Sequence, residues 1–193
     1  MEHVRLTGPR LILREYRQTP EDAEALYAVL GDPVAGRFLP AGPRDEEECA
    51  DQIELYLDEA EQRPRGCYRL AVTLRAEAGD PVPIGQAALT RDGETAGLIG
   101  YALRPDRWGL GYAGEIAALL CGFGFERLGL HRLAARVDPD NTASVRVLTR
   151  AGFRLEGRIR EDTRLRGQWR DSLQYSLLAA EWAVVNGSPP RTG

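Results

Sequence analysis

The segment Arg104-Pro-Asp-Arg-Trp-Gly-Leu-Gly-Tyr-Ala-Gly-Glu115 narrows the possible folds more than any other stretch of this chain. It follows Ala96 to Leu103, a run of strand length, and precedes Ile116, Leu119, Leu120, Phe123 and Arg127, whose spacing is helical. Glycines placed there leave backbone N–H groups uncovered, and the first turn of the helix adds unpaired donors at its positive dipole end. Such a loop holds phosphate. Gly109, Gly111 and Gly114 also spell the dinucleotide fingerprint G-x-G-x-x-G, with Asp138 at the end of the next strand as its acidic partner. Two features oppose that reading. Arg104 to Trp108 intervene before the first glycine, and the three strands that follow are too few to complete a six-stranded doubly wound sheet. A P-loop requires a lysine, and the chain contains none.

The flanking sequence extends the pattern. Arg10 to Arg14 alternates Leu11 and Leu13 inward as an opening strand, and Thr19-Pro20-Glu21-Asp22 starts a helix that Gly31-Asp32-Pro33 stops. From Asp45, the spacing of Cys49, Ile53, Leu57 and Ala60 predicts a second amphipathic helix, ended by Pro64-Arg65-Gly66. Tyr68 to Leu74, Ile84 to Thr90 and Ala96 to Leu103 read as an antiparallel meander, separated by Gly79-Asp80-Pro81 and Arg91-Asp92-Gly93-Glu94. After the glycine loop and its helix, Leu133, Ala135 and Val137 alternate as a strand, Asn141 opens a helix and Gly152 closes it. Phe153 to Ile159 and Ser172 to Leu178 form a hairpin across Arg166-Gly167-Gln168. The order β-α-α-β-β-β-α-β-α-β-β predicts an α/β (α+β) fold: one mixed, mostly antiparallel, twisted sheet of about seven strands with helices on both faces. Residues 1–185 are expected as one domain and residues 186–193 as a disordered tail.

Composition removes several function classes. No apolar run approaches the roughly 20 residues of a membrane span, and Met1-Glu2-His3-Val4-Arg5 lacks an export pattern, so a cytoplasmic location without membrane contact is expected. Cys49, Cys67 and Cys121 lack ligand spacing, and only His3 and His131 supply imidazole, so no metal is expected. No basic stripe with interleaved aromatics points to nucleic acid. Charge is uneven: residues 1–62 carry 15 acidic and 6 basic side chains, a net −9 that leaves +5 for the remainder of a −4 chain. Fields of that kind attract a polyanion to one part and a cation to the other, although a solvated helix face has the same composition.

These motifs together resemble the GCN5-related N-acetyltransferase (GNAT) superfamily, in particular the branch with ribosomal-protein N-terminal acetyltransferases (RimJ/RimL-like). The resemblance rests on Arg10-Leu-Ile-Leu-Arg14, Gly100-Tyr101, Trp108-Gly-Leu-Gly-Tyr-Ala113, Asp140-Asn-Thr-Ala-Ser144, Ala151-Gly-Phe153 and Arg166-Gly-Gln-Trp-Arg-Asp171. It implies acetyl-coenzyme A as acyl donor. Donors across Trp108, Gly109, Leu110, Gly111, Tyr112, Ala113 and Gly114 would hold its pyrophosphate, with Trp108 standing where the family has Arg or Gln. The resemblance also implies that the strand ending at Leu103 splays from its parallel neighbour, so that pantetheine amides pair with backbone near Leu103.

In the resembled family an asparagine after the fifth strand contacts pantetheine, which implies Asn141, and a serine three residues on reaches the sulfur, which implies Ser144 as hydrogen-bond donor or general acid. The alternative tyrosine position is Leu148. Capping also explains Asn141, and a local backbone bond also explains Ser144. The carboxylate that many relatives carry before Gly-Tyr is replaced by Leu98, which leaves Glu94, Glu115 or a water chain as base. Cys121, set among Leu119, Leu120 and Phe123, reads as a core residue rather than an acyl carrier. His131 reads as structural, and Trp169 and Phe38 either line an acceptor pocket or pack. The implied function is N-acetylation of a primary amine on a protein N-terminus, a polyamine or an antibiotic, by direct attack in a ternary complex. A non-catalytic acyl-coenzyme A sensor is the alternative; the missing acid supports it and Ser144 opposes it. Pairing through the final hairpin of relatives implies a homodimer.

Overall fold

The computed structural model describes residues 3–39, 45–75 and 81–186. Strands β1 (Arg5–Thr7) and β2 (Leu11–Glu15) lead to helices α1 (Pro20–Leu30) and α2 (Glu46–Glu61), with a 3₁₀ turn at Ala35–Phe38 between them. The meander β3 (Cys67–Leu74), β4 (Gly85–Asp92) and β5 (Ala96–Leu103) follows, then α3 (Tyr112–Gly122), which continues as a π-helical turn, Phe123–Arg127. The chain finishes with β6 (Arg132–Val137), α4 (Thr142–Arg150), β7 (Arg154–Leu165), β8 (Gln168–Leu178) and α5 (Ala179–Asn186). Among the described residues the strands join one sheet of eight, in the order β1-β2-β3-β4-β5-β6-β8-β7, and only β5 and β6 run parallel, as a β-α-β crossover through α3 requires. A doubly wound dinucleotide fold is therefore excluded.

The predicted caps stand where local chemistry puts them. Thr19 Oγ1 accepts from Asp22 N at 3.4 Å with Pro20 in the first turn, Asp45 Oδ1 accepts from Glu48 N at 2.8 Å, and Asn141 Oδ1 accepts from Ser144 N at 3.1 Å. Alternation along β3 sends Leu70 and Val72 to one face and Ala71 to the other. On the first face Leu70, Leu89, Leu133 and Leu177 pack with Ile116 and Leu120 of α3; on the second, Ala71 packs with Leu26 and Val29 of α1 and Ile53 of α2. Each such side chain contributes about 1.5–3 kcal/mol on burial. Helices thus cover both faces.

Three elements differ from expectation. The sheet has eight strands rather than about seven, because β1 spans three residues and buries only Leu6, too short a run for periodicity to reveal. The helix α5 follows β8, so structure continues through Asn186; the remaining expected tail, 187–193, lies outside the described residues, as does most of the expected turn at 79–81. Its N-cap position is Leu178, which has no side-chain acceptor and so carries no start signal. Glu181 instead reaches back to accept from Leu178 N at 3.0 Å, half of a capping box. The final hairpin is longer than predicted, because β7 is an exposed edge strand rich in arginine whose burial does not alternate. Arg166 and Gly167 close it with φ of 49° and 82°, a type I′ geometry that matches strand twist.

Candidate functional site

The pairing of β5 with β6 covers Ala96↔Arg132, Gly97↔Leu133 and Leu98↔Ala134, and stops there. Beyond that point β5 continues to Leu103 paired only with β4, and β6 continues to Val137 paired only with β8. The two parallel strands part like a V. Arg104 N donates to Ile84 O at 3.0 Å, so even-numbered residues at this end of β5 turn their main chain toward β4 and odd-numbered residues turn theirs into the opening. Ile99, Tyr101 and Leu103 therefore present backbone groups to the V. The Leu103 carbonyl is already taken: the Trp108 indole N–H donates to it at 2.8 Å. Trp108 thus braces the end of β5 against the glycine loop, with 48% of its surface exposed.

At the mouth of the V, Gly109 and Gly111 adopt φ of 75° and 80°, a left-handed conformation that disfavours side chains. Gly111 caps α3 without any side-chain hydrogen bond, and the first intrahelical bond is Glu115 N to Gly111 O at 3.4 Å. The N–H groups of Gly111, Tyr112, Ala113 and Gly114 precede that bond and have no intrahelical acceptor. A Cβ on Gly109 or Gly114 would meet only open space. The residues present therefore fit a pyrophosphate: donors converge at a positive helix end with room in front of them.

Ser144 lies in the first turn of α4 with its amide held by Asn141, and the described hydrogen bonds tie its hydroxyl to no backbone group. Its hydroxyl lies beside that of Tyr101. The Tyr101 oxygen is buried and makes no hydrogen bond of ordinary geometry. Burial raises its pKa above the usual phenol value and Ser144 pulls it partly back, so the phenol stays neutral and able to donate. The sequence marks Tyr101 only as half of Gly100-Tyr101, and the signal that singles it out is alternation along β5, which turns Tyr101 to the face of Ile99 and Leu103. Leu148 is 2% exposed within the core, so no hydroxyl is offered there.

Among the base candidates, Glu115 is already engaged. Its Oε1 accepts from Arg10 N at 2.8 Å and Leu11 N at 2.9 Å, and its Oε2 from Arg10 Nε at 3.0 Å. Glu94 sits in the β4–β5 turn, at the closed end of the V and roughly 25 Å along β5 from the glycine loop at about 3.3 Å per residue. Leu98, at the position where the family resemblance implies an acid, is 37% exposed and offers no carboxylate. His131 N donates to Thr95 O at the same closed end.

Cys121 is buried, and burial alone pushes its thiol up to about 12, so it holds no thiolate for an acyl intermediate. Cys121→Ala is expected to leave acetyl transfer within about twofold of wild type; a loss beyond that would revive the covalent route.

On the other side of the opening, Arg170 donates to Asp138 from both Nε and Nη2 at 3.1 Å, and also reaches Asp140. Burial works to raise the Asp138 pKa, but the Arg170 hydrogen bonds, the Asp140 N–H and the charges of Arg170 and Arg37 together hold it below the usual range. Asp138 is therefore a structural anion that ties β8 to the loop after β6. Trp169 lies 59% exposed on the hairpin. The described residues contain no group of three or more His, Cys, Asp or Glu able to hold a metal, and no helix among them is long and apolar enough to cross a membrane.

A family model described as an acetyltransferase (GNAT) domain matches residues 10–154. The N-acetyltransferase p20 of Bacillus licheniformis is 30% identical over 177 residues, covering 90% of this chain and 96% of its own. Spermidine N(1)-acetyltransferase of Escherichia coli (strain K12) is 25% identical over 115 residues, 52% of this chain and 62% of its own. The crystal structure of an acetyltransferase (GNAT family) from Bacillus anthracis aligns with a TM-score of 0.79 at 25% identity, over 92% of this chain and 99% of that one. The family match runs from the residue before β2 to the first of β7, taking in the glycine loop and both arms of the V. This chain therefore belongs to the GNAT acetyltransferase family and is an N-acetyltransferase.

Proposed function

We propose that the protein, acting as one domain over residues 1–185, binds acetyl-coenzyme A in the V and transfers its acetyl group directly to a primary amine. The observation that carries this is the loss of β5–β6 pairing after Leu98, which opens unpaired backbone on a line with the donors at the start of α3. The pyrophosphate would rest on N–H groups from Leu110 to Gly114. The pantetheine amides would add along β5 at Ile99, Tyr101 and the Leu103 N–H, as an extra strand does. Asn141 has its Oδ1 committed to the α4 cap, so its side-chain amide N–H is the group left to anchor pantetheine.

In the reaction, the lone pair of a neutral amine forms a bond to the thioester carbonyl carbon, the C–S bond breaks, and the nitrogen loses one proton. The departing sulfur carries the electron pair and takes a proton from Ser144, whose oxygen regains one from water, so that the proton released by the amine balances it. Glu115 is occupied and Glu94 is remote, so the proton from the amine passes to water in this scheme. The acceptor class of protein N-termini, polyamines and amine-bearing antibiotics is supported at its polyamine end by the relative named for spermidine. The net −9 charge of residues 1–62 also favours a cation. The resemblance of Arg10-Leu-Ile-Leu-Arg14, Trp108-Gly-Leu-Gly-Tyr-Ala113 and Arg166-Gly-Gln-Trp-Arg-Asp171 to ribosomal-protein N-terminal acetyltransferases supports the peptide end.

Calorimetric titration with acetyl-coenzyme A and, separately, with NADH tests the reading before any acceptor is known. Micromolar binding of acetyl-coenzyme A, on the order of −8 kcal/mol, without NADH binding is the expected result. NADH binding without acetyl-coenzyme A binding would overturn it. A panel of polyamines, peptides and aminoglycosides scored by thiol release would then identify the acceptor.

A further inference from the structure

The turn between β1 and β2 reaches across to the glycine loop. Arg10 Nη1 donates to Leu110 O at 2.8 Å while its Nε donates to Glu115 Oε2 at 3.0 Å, and its guanidinium lies 4.8 Å from the centre of the Tyr112 ring. Glu115 is the anchor. Its side chain is only 9% exposed, and its other oxygen accepts the backbone N–H groups of Arg10 and Leu11. Gly8 makes room for it, because a Cβ there would stand 2.6 Å from Glu115 Oε1. Arg10 therefore touches Leu110 and Tyr112 and sits against Gly111, where a Cβ would lie 3.4 Å from Nη2.

This arrangement controls a donor. Across a trans peptide the carbonyl and the following N–H point in opposite directions. Holding the Leu110 carbonyl on the Arg10 side aims the Gly111 N–H away from Arg10, toward the open space before the loop. Glycines on both sides of Leu110 would otherwise leave that peptide free to rotate. A binding loop already in its bound conformation avoids the ordering cost of association. The guanidinium fork is needed because one planar group must serve a carboxylate and a carbonyl at once, which a single ammonium does less well.

We propose that Arg10, anchored by Glu115, is a positioning residue that presets the pyrophosphate loop for acetyl-coenzyme A. The inference rests on the reading of that loop as the acetyl-coenzyme A site. The full chain is titrated with acetyl-coenzyme A by calorimetry as wild type, Arg10→Lys, Arg10→Met and Gly8→Ala, and each variant is assayed with an accepted amine. Both Arg10 variants are expected to bind about tenfold more weakly, with kcat at saturating donor within about twofold of wild type. Gly8→Ala keeps Arg10 and Glu115 but displaces the carboxylate, and should weaken binding in the same direction. Should Arg10→Met fail to fold, Arg10→Lys and Gly8→Ala decide. If Arg10→Lys binds as tightly as wild type, charge alone suffices and the positioning role is overturned. A fall in kcat with unchanged affinity overturns it equally. Absence of binding by the wild type would instead remove the acetyl-coenzyme A site itself.

Discussion

Ser144→Ala should lower kcat on the order of 100-fold while leaving acetyl-coenzyme A affinity within about threefold. The serine hydroxyl lies next to a buried, neutral Tyr101 phenol and is bonded to no backbone group among those described. Its removal therefore deletes a proton donor and little else. General acid catalysis by one positioned group supplies roughly 10²–10⁴ in rate, and a hundredfold loss corresponds to about 2.7 kcal/mol of the barrier. Stability separates this from a packing effect. Alanine is the better helix former by a few tenths of a kcal/mol, and the cap on α4 comes from Asn141 accepting the amide of residue 144, which alanine retains. The melting temperature should hold or rise slightly. Turnover measured by thiol release and affinity by calorimetry check the split; unchanged turnover removes the catalytic role.

Asp22→Ala should cost about 3–5 kcal/mol of folding stability, a large part of the ~5–15 kcal/mol that holds a domain together. Asp22 and Arg14 are 2% and 6% exposed, and their two hydrogen bonds are both 2.7 Å. Asp22 also accepts from Arg17 N at 2.8 Å. Alanine would remove the Asp22 carboxylate from the buried Arg14 guanidinium, and the loss of that buried charge pairing, more than the lost bonds, sets the size of the effect. In urea the midpoint should fall without a change in slope, because the same surface is exposed on unfolding. Replacing both partners together, as Arg14→Met with Asp22→Leu, should recover most of the loss. A cost below about 1 kcal/mol for Asp22→Ala would instead mean that water reaches the pair and screens it. The pair also locks α1 to β2, and β2 follows directly from Arg10, which is bonded to Leu110 of the glycine loop.

Several signals in the sequence were decisive because they act within a few residues. Thr19-Pro20, Asp45 and Asn141 begin helices since a side-chain oxygen needs only to reach an amide two or three positions on. Gly109 and Gly111 mark the loop because their positive φ is a property of single residues. Strand β1 escaped because three residues hold too little periodicity, and α5 escaped because Leu178 has no side chain with which to cap. The full length of the hairpin escaped because an edge strand exposed on both faces has no reason to alternate.

From the sequence came the order of the elements between β2 and β8, the starts of α1, α2 and α4, the glycine loop and the family, all written in local residue chemistry or in motifs read side by side. Only the tertiary structure decided where β5 and β6 part, that Glu115 is consumed by Arg10, and that Tyr101 stands beside Ser144. Those outcomes belong to residues tens of positions apart in the chain. Distances of that kind are set by how α3 and α4 pack on the sheet, where burial and geometric fit, rather than any local preference, choose which side chains meet.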